Sequence, residues 1–186
     1  RVRLPDVDPT IDAAIDALLA ASEVEVVEVS LPGWDHAIDA AWAVMFYEVW
    51  QVDRHLYEHD PAALGADVRT RLEHGRGVSS LAHRAGLDHR TAWRAELAAA
   101  FDRAPVLAWP TLAMFPTRLD AAAPDTRRTN IGVNLAGHPA LALPVPSGGA
   151  IPASIQLVGP DLSEPLLCQT ALHLEAAATS LASRSS

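Results

Sequence analysis

Residues 141–145 and 155–158 are short apolar runs on either side of Pro146-Ser147-Gly148-Gly149. Runs of this length between Pro and Gly are too short for a helix and read as buried strands joined by a hairpin-like turn. Residues 106–109 form a third such run, closed by Pro110. Whatever else the chain folds into has to pack against these strands, because a sheet must bury at least one face.

The remaining sequence supplies helices to do so. Asp8-Pro9-Thr10 reads as an N-cap followed by Pro at the first helical position. Behind it Ile11, Ala14, Ile15, Leu18 and Leu19 recur at helical spacing. Residues 23–31 alternate acid with β-branched side chains and predict a strand with one wet face, ended by Pro32-Gly33. From residue 35 to 58 the positions Ile38, Trp42, Met45, Phe46, Val49 and Leu56 keep a helical period, with core packing as the role of the aromatic stripe. A short helix is expected at 67–73, stopped by Gly75, then a loop or helix entry at 77–80 and a helix at 92–101. A last helix is expected from Glu164 to Ala178, with a flexible tail over 179–186. Ala-rich clusters occur at 98–100 and 121–123. Helices and strands interleave along the whole length, which predicts an α/β fold, one domain over 1–178.

Composition excludes several functions. All 14 basic residues are Arg and none is Lys, so no lysine Schiff base, lysine general base or lysine phosphate ligand can come from this polypeptide. A net charge of -9 repels phosphate backbones and argues against nucleic acid as a partner. Cys168 is the single cysteine and cannot close an internal disulfide. Apolar stretches are broken within a few residues by charge or Pro, so no membrane partner is expected. The chain starts at Arg1 rather than Met. That start fits a processed product, a fragment or an incomplete gene, and leaves upstream targeting signals unseen. Cytoplasm is the default localisation.

Three constellations carry candidate chemistry. His55-Leu56-Tyr57-Glu58-His59 satisfies the H-x-x-E-H pattern of a zinc peptidase family, and i,i+4 spacing puts both imidazoles on one helix face. The competing reading is solvated side chains at a helix end. Ser79-Ser80 lies close in sequence to His83, but a nucleophilic serine needs a base held within hydrogen-bond reach, and an N-cap explains these serines more simply. Ser147-Gly148-Gly149 reads as a turn rather than an active-site loop. The third is the block Val133-Asn134-Leu135-Ala136-Gly137-His138-Pro139-Ala140, followed by Ile151-Pro152-Ala153-Ser154-Ile155-Gln156-Leu157-Val158-Gly159-Pro160. Here Gln156 sits inside an apolar strand and must find hydrogen-bond partners if buried.

This block resembles the carboxy-terminal signature of the amidase signature family, N-L-A-G-x-P-A followed by strand, Gly-rich turn, G-L-P-x-G-x-Q-L-x-G and E-x-x-L-L. The matching residues are Asn134-Leu135-Ala136-Gly137, Pro139-Ala140, Ile151-Pro152, Gln156-Leu157, Gly159, and Glu164 with Leu166-Leu167. Upstream, residues 24–32 resemble the family's V-x-x-V-x-L-P strand, residues 64–72 its F-G-x-E-V-x-x-R-I segment, and Trp109-Pro110-Thr111 its strand-ending P-T. The ordered match runs from about residue 7 to 178.

The resemblance implies the carboxy-terminal portion of an α/β/α amidase fold with a mixed central sheet. It also implies hydrolysis of amide C–N bonds by a Ser-Ser-Lys triad that belongs to the amino-terminal half. This chain, lacking that loop and any Lys, is expected to contribute sheet core and part of the substrate pocket, and to be inactive alone. Arg71 matches an Arg that contacts a substrate carboxylate in some members; Asn134 and Gln156 are the other substrate-binding candidates. The expected partner is a small-molecule amide, no cofactor is implied, and a homodimer is the assembly left open. Three positions depart from the pattern. Ser154 replaces a Gly and adds a Cβ, His138 stands where the family is often apolar, and Arg127 falls near an acidic contact of amidotransferase members. These favour a plain amidase over a glutamine amidotransferase subunit. Two other readings stand beside this one: a non-catalytic binding or assembly module with the half-fold, and a zinc hydrolase using His55, Glu58 and His59.

Overall fold

The computed structural model describes residues 1–118 and 126–184. The cluster at 121–123, the side chain of Arg127 and the last two tail residues lie outside the described part. Two compact units are present, a sheet unit (Arg1–Pro32 with Glu96–Ser186) and a helical unit (Gly33–Ala95).

In the sheet unit, β1 (Leu107–Pro110), β2 (Ala140–Val145) and β3 (Ala153–Val158) form an antiparallel sheet in the order β1-β3-β2. The register pairs Ala108 and Leu141 with Leu157, and Leu143 with Ile155. Cross-strand partners share a face, so these residues together with Val145 and Ala153 form one apolar surface. Two helices cover it. α1 (Pro9–Ala21) contributes Ile11, Ala14, Ile15, Leu18 and Leu19, and α6 (Glu164–Arg184) contributes Leu167, Ala171, Leu174, Ala177 and Ala178. Asp8 caps α1 as expected, its carboxylate accepting from the Thr10 N–H at 2.8 Å. β2 is an edge strand, and its Pro144, which has no N–H to donate, is tolerated there. Its Ala140, Ala142 and Pro144 are exposed, so β2 is buried on one side only rather than throughout.

Residues 23–31 do not form the expected strand. They make a single parallel bridge, Val29 with Val2, and Val26 and Val27 remain 45% and 39% exposed. Val29 N–H donates to the Arg1 carbonyl and Val2 N–H to that of Ala108, which joins this strip to β1. Alternation alone does not make a strand; a neighbouring backbone must run alongside, and here it extends for only a few residues. Ion pairs fasten the same strip to α1. Arg1 pairs with Asp12, and Arg3 lies 2.8 Å from Asp16 and 3.3 Å from Glu28. The hydrogen bond to Asp16 raises the Arg3 pKa above its ordinary value, against some desolvation, so this cation stays charged at every accessible pH.

The helical unit contains α2 (Trp34–His59), α3 (Ala66–Gly77) and most of α4 (Ser80–Phe101), with a 3-10 turn at Pro61–Ala63. Two expectations change here. Gly75 does not stop α3 but lies inside it, buried against α2. A Cβ at this position would stand 2.4 Å from the Phe46 carbonyl oxygen, so only glycine lets the two backbones approach this closely. The helix expected at 92–101 begins earlier, at Ser80, where a loop or helix entry was expected. The charged and imidazole side chains from His83 to Arg90 dilute its apolar period, while Gly86 packs against Ala40 and Val44 of α2. α6 likewise continues beyond Ala178 to Arg184. Among the described residues no helix is long and apolar enough to cross a membrane.

Candidate substrate-binding site

The second face of the sheet carries the polar groups. Trp109 and Gln156 are cross-strand partners on it, 0% and 6% exposed. Both donate to one acceptor, the carbonyl of Thr129: the Trp109 indole Nε1–H at 2.8 Å and the Gln156 Nε2–H at 3.3 Å. Thr129 closes a 3-10 turn, Thr126–Thr129, and is itself buried. Its hydroxyl donates to the Thr111 carbonyl just past the end of β1. The Thr111 and Ser154 hydroxyls share a further hydrogen bond of 2.8 Å. A polar ladder thus runs from the end of β1 across to the middle of β3. It answers what a buried Gln in an apolar strand bonds to. The hydroxyl of Ser154 also finds a partner at the position where the resemblance expects Gly.

Immediately after Thr129 comes α5 (Ile131–Ala136), a helix absent from the sequence reading. Its first turn forms when the Val133 and Asn134 N–H groups donate to the Asn130 carbonyl, at 3.0 and 3.2 Å. Its end is set by Gly137, whose φ of 74° is left-handed and whose N–H donates to the Val133 carbonyl. Ile131, Val133, Leu135 and Ala136 are buried, and Asn134 is the exposed member of the helix. His138 follows with its ring edge-on to Phe101 and Nδ1 at 2.9 Å from Asp161, so an imidazole in this position joins the α5–β2 turn to the β3–α6 turn.

The sequence candidates are therefore distributed as follows. Gln156 is buried with its amide engaged by Thr129, Asn134 is presented on α5 of the same unit, and Arg71 stands exposed on α3 in the helical unit. His55, Glu58 and His59 are exposed near the end of α2, where His55 Nδ1–H donates to its own helix at Val52. Among the described residues no group of three His, Cys, Asp or Glu side chains is arranged to hold a metal ion. Ser79 caps α4 through the Ala82 N–H at 3.1 Å, while His83 turns to Glu48 and stacks on Tyr47. The other face of the sheet holds an apolar cavity of about 200 Å³ between residues 24–27, β1, β3 and α6, and none of Arg71, Asn134 and Gln156 lines it. Sequence reasoning missed Thr129 and Thr111. The available signal was that buried Trp and Gln donors on adjacent strands require an acceptor nearby.

The fold, an antiparallel sheet packed against two helices, is similar to that of solved amidases. One such crystal structure superposes with a TM-score of 0.82 at 23% identity, over 92% of this chain and 42% of that one. The sequence profile described as Amidase matches residues 4–168. A 2-amino-5-chloromuconic acid deaminase from Comamonas testosteroni is 34% identical over 195 aligned residues, 92% of this chain and 40% of the relative. An amidase from Pseudomonas putida is 30% identical, over 94% of this chain and 40% of its own length. The chain belongs to the amidase family. It spans about two fifths of the length of these relatives.

Proposed function

We propose that this chain is the carboxy-terminal part of an amidase that hydrolyses the C–N bond of a small carboxamide. The observation that carries this reading is the amidase profile running through residues 4–168, almost end to end. Acyl transfer by serine needs a nucleophile and a base that removes its proton. With no Lys in the sequence, the base of a Ser-Ser-Lys triad has to be supplied by polypeptide outside these 186 residues. The part played here is structural and substrate-facing. Within the sheet unit the sheet provides the wall, and Asn134 on α5 offers an amide to the substrate.

Two measurements test this. Purified chain is given aliphatic and aryl carboxamides and ammonia release is followed; no turnover is expected, and reproducible turnover would overturn the division of labour. The endogenous protein is then captured with an antibody against residues 133–160. The expected result is a mass more than twice 19.8 kDa together with amide hydrolysis. A captured protein of 19.8 kDa without hydrolysis would reject the amidase reading.

A further inference from the structure

We propose that Trp109 and Gln156 act as a two-donor clamp on the Thr129 carbonyl, and that this clamp is what positions α5 and its exposed Asn134. The consequence for turnover rests on the amidase reading above; the clamp itself does not.

α5 spans only Ile131–Ala136, far shorter than a helix that holds itself together in water, so its placement must be imposed from outside. Burial of Ile131, Val133, Leu135 and Ala136 selects which face turns inward, but apolar contact is non-directional and leaves sliding along the helix axis weakly opposed. Direction and register come from hydrogen bonds. The residue before Asn130, whose carbonyl starts the helix, is Thr129, and among the contacts that hold it are the indole N–H of β1, the amide of β3, and its own hydroxyl on the Thr111 carbonyl. Two of these partners sit side by side on neighbouring strands, as the Trp109–Gln156 register shows, so the sheet ladder fixes the two donors relative to each other. At the far end Gly137 in its left-handed conformation stops the helix at a fixed residue. A side chain such as Asn134, exposed between two fixed ends, is held in place without touching the clamp. On this account Gln156 serves as a positioning residue rather than a substrate contact, because its side chain is buried and its amide donates to Thr129.

The test uses Gln156→Met, which keeps length and bulk but removes the donor, and Trp109→Phe, which keeps an aromatic ring but removes the indole N–H. In the chain labelled with carbon-13 at the Thr129 carbonyl, each variant should move the carbonyl resonance upfield, with the double variant moving furthest. Exchange of the Val133 and Asn134 amides should quicken about tenfold in the single variants, the equivalent of one net hydrogen bond, while amides of α1 and α6 keep their wild-type rates. An unmoved carbonyl resonance in Gln156→Met overturns the clamp, since a residue that merely fills space would behave in this way. A moved resonance with unchanged exchange in α5 overturns the positioning role. In the captured endogenous protein carrying Gln156→Met, KM for the amide should rise about tenfold with kcat held within about twofold. An active enzyme with both constants unchanged overturns the link to substrate. Wild-type protein with no amide turnover rejects the amidase reading instead, and the carbonyl and exchange measurements then decide the clamp on their own.

Discussion

The sheet unit and the helical unit are built from one chain but are stabilised in opposite ways. In the sheet unit Ile15, Leu18, Ile155, Leu157, Leu167 and Leu174 are all nearly or wholly buried and belong to one continuous cluster. The helical unit has fewer buried large side chains, chiefly Trp34, Ile38, Leu72 and Trp93. It relies instead on close backbone approach at Gly75 and Gly86, and on stacked rings such as Trp42–Phe46, Phe46–His74 and Tyr47–His83. Its α2 leaves Val52 and Leu56 exposed. One unit should therefore suffer most from losing volume, and the other from gaining it.

The largest effect is expected from Ile155→Ala in the middle of β3. Truncating a fully buried Ile costs about 2–5 kcal/mol, read from the denaturant midpoint and from faster amide exchange across β2, β3, α1 and α6. A cost below about 1 kcal/mol would mean that the cluster tolerates a hole and is not the main source of stability. In the helical unit the informative change is the reverse. Gly75→Ala places a methyl group 2.4 Å from the Phe46 carbonyl oxygen, so α2 and α3 must separate, at about 1–3 kcal/mol. Gly77→Ala, in the same helix with nothing within 4 Å of the new carbon, should instead stabilise by about 0.4–1 kcal/mol. Equal signs for these two substitutions would show that helix propensity, and not the contact with α2, governs the site. Back in the sheet unit, Asp8→Ala removes the cap of α1 and should cost about 1 kcal/mol with exchange quickened only in its first turn.

The same contrast separates what could be read from the sequence from what could not. Signals carried by a residue's immediate neighbours were legible. Asp8-Pro9 opened α1, the period of Ile38, Trp42 and Phe46 gave α2, and Pro and Gly bracketed β1, β2 and β3. Features that depend on what lies opposite were not. Gly75 looks like a stop signal until the Phe46 carbonyl is seen against it, and residues 24–31 alternate like a strand whose neighbour extends only for a few residues. α5 is too short to announce itself by periodicity, and contains Gly132 and Asn134 besides. The site divides along the same line. Gln156 could be flagged as a polar residue that needs a partner, but that its partner would be the Thr129 carbonyl, shared with Trp109, is a fact about three segments meeting.

The smallest effect tests the helical unit at its surface, where ring and charge contacts take over from burial. Tyr57 on α2 donates its hydroxyl to Glu73 on α3 at 3.0 Å. That hydrogen bond to a carboxylate is the chief reason the Tyr57 pKa is raised, with desolvation and the Glu73 charge adding to it and Arg76 and Arg69 opposing it. An acid whose pKa is raised on folding favours the folded state while it is protonated. The contribution is therefore complete below the ordinary tyrosine pKa of about 10 and is lost as pH rises through the higher folded value. The Tyr57 hydroxyl meets Glu73 at the surface, so solvent screening keeps the contribution to stability small, and the titration itself is the better measurement. In a Tyr47→Phe background, which keeps the ring stacked on His83, phenolate absorbance should report Tyr57 titrating above its ordinary range, and Glu73→Gln should bring it back down. If Tyr57 already titrates at the ordinary value and Glu73→Gln changes nothing, then the Tyr57 hydroxyl adds nothing to the joint between α2 and α3, which rests on the close approach at Gly75 and the stacking of Phe46 on His74.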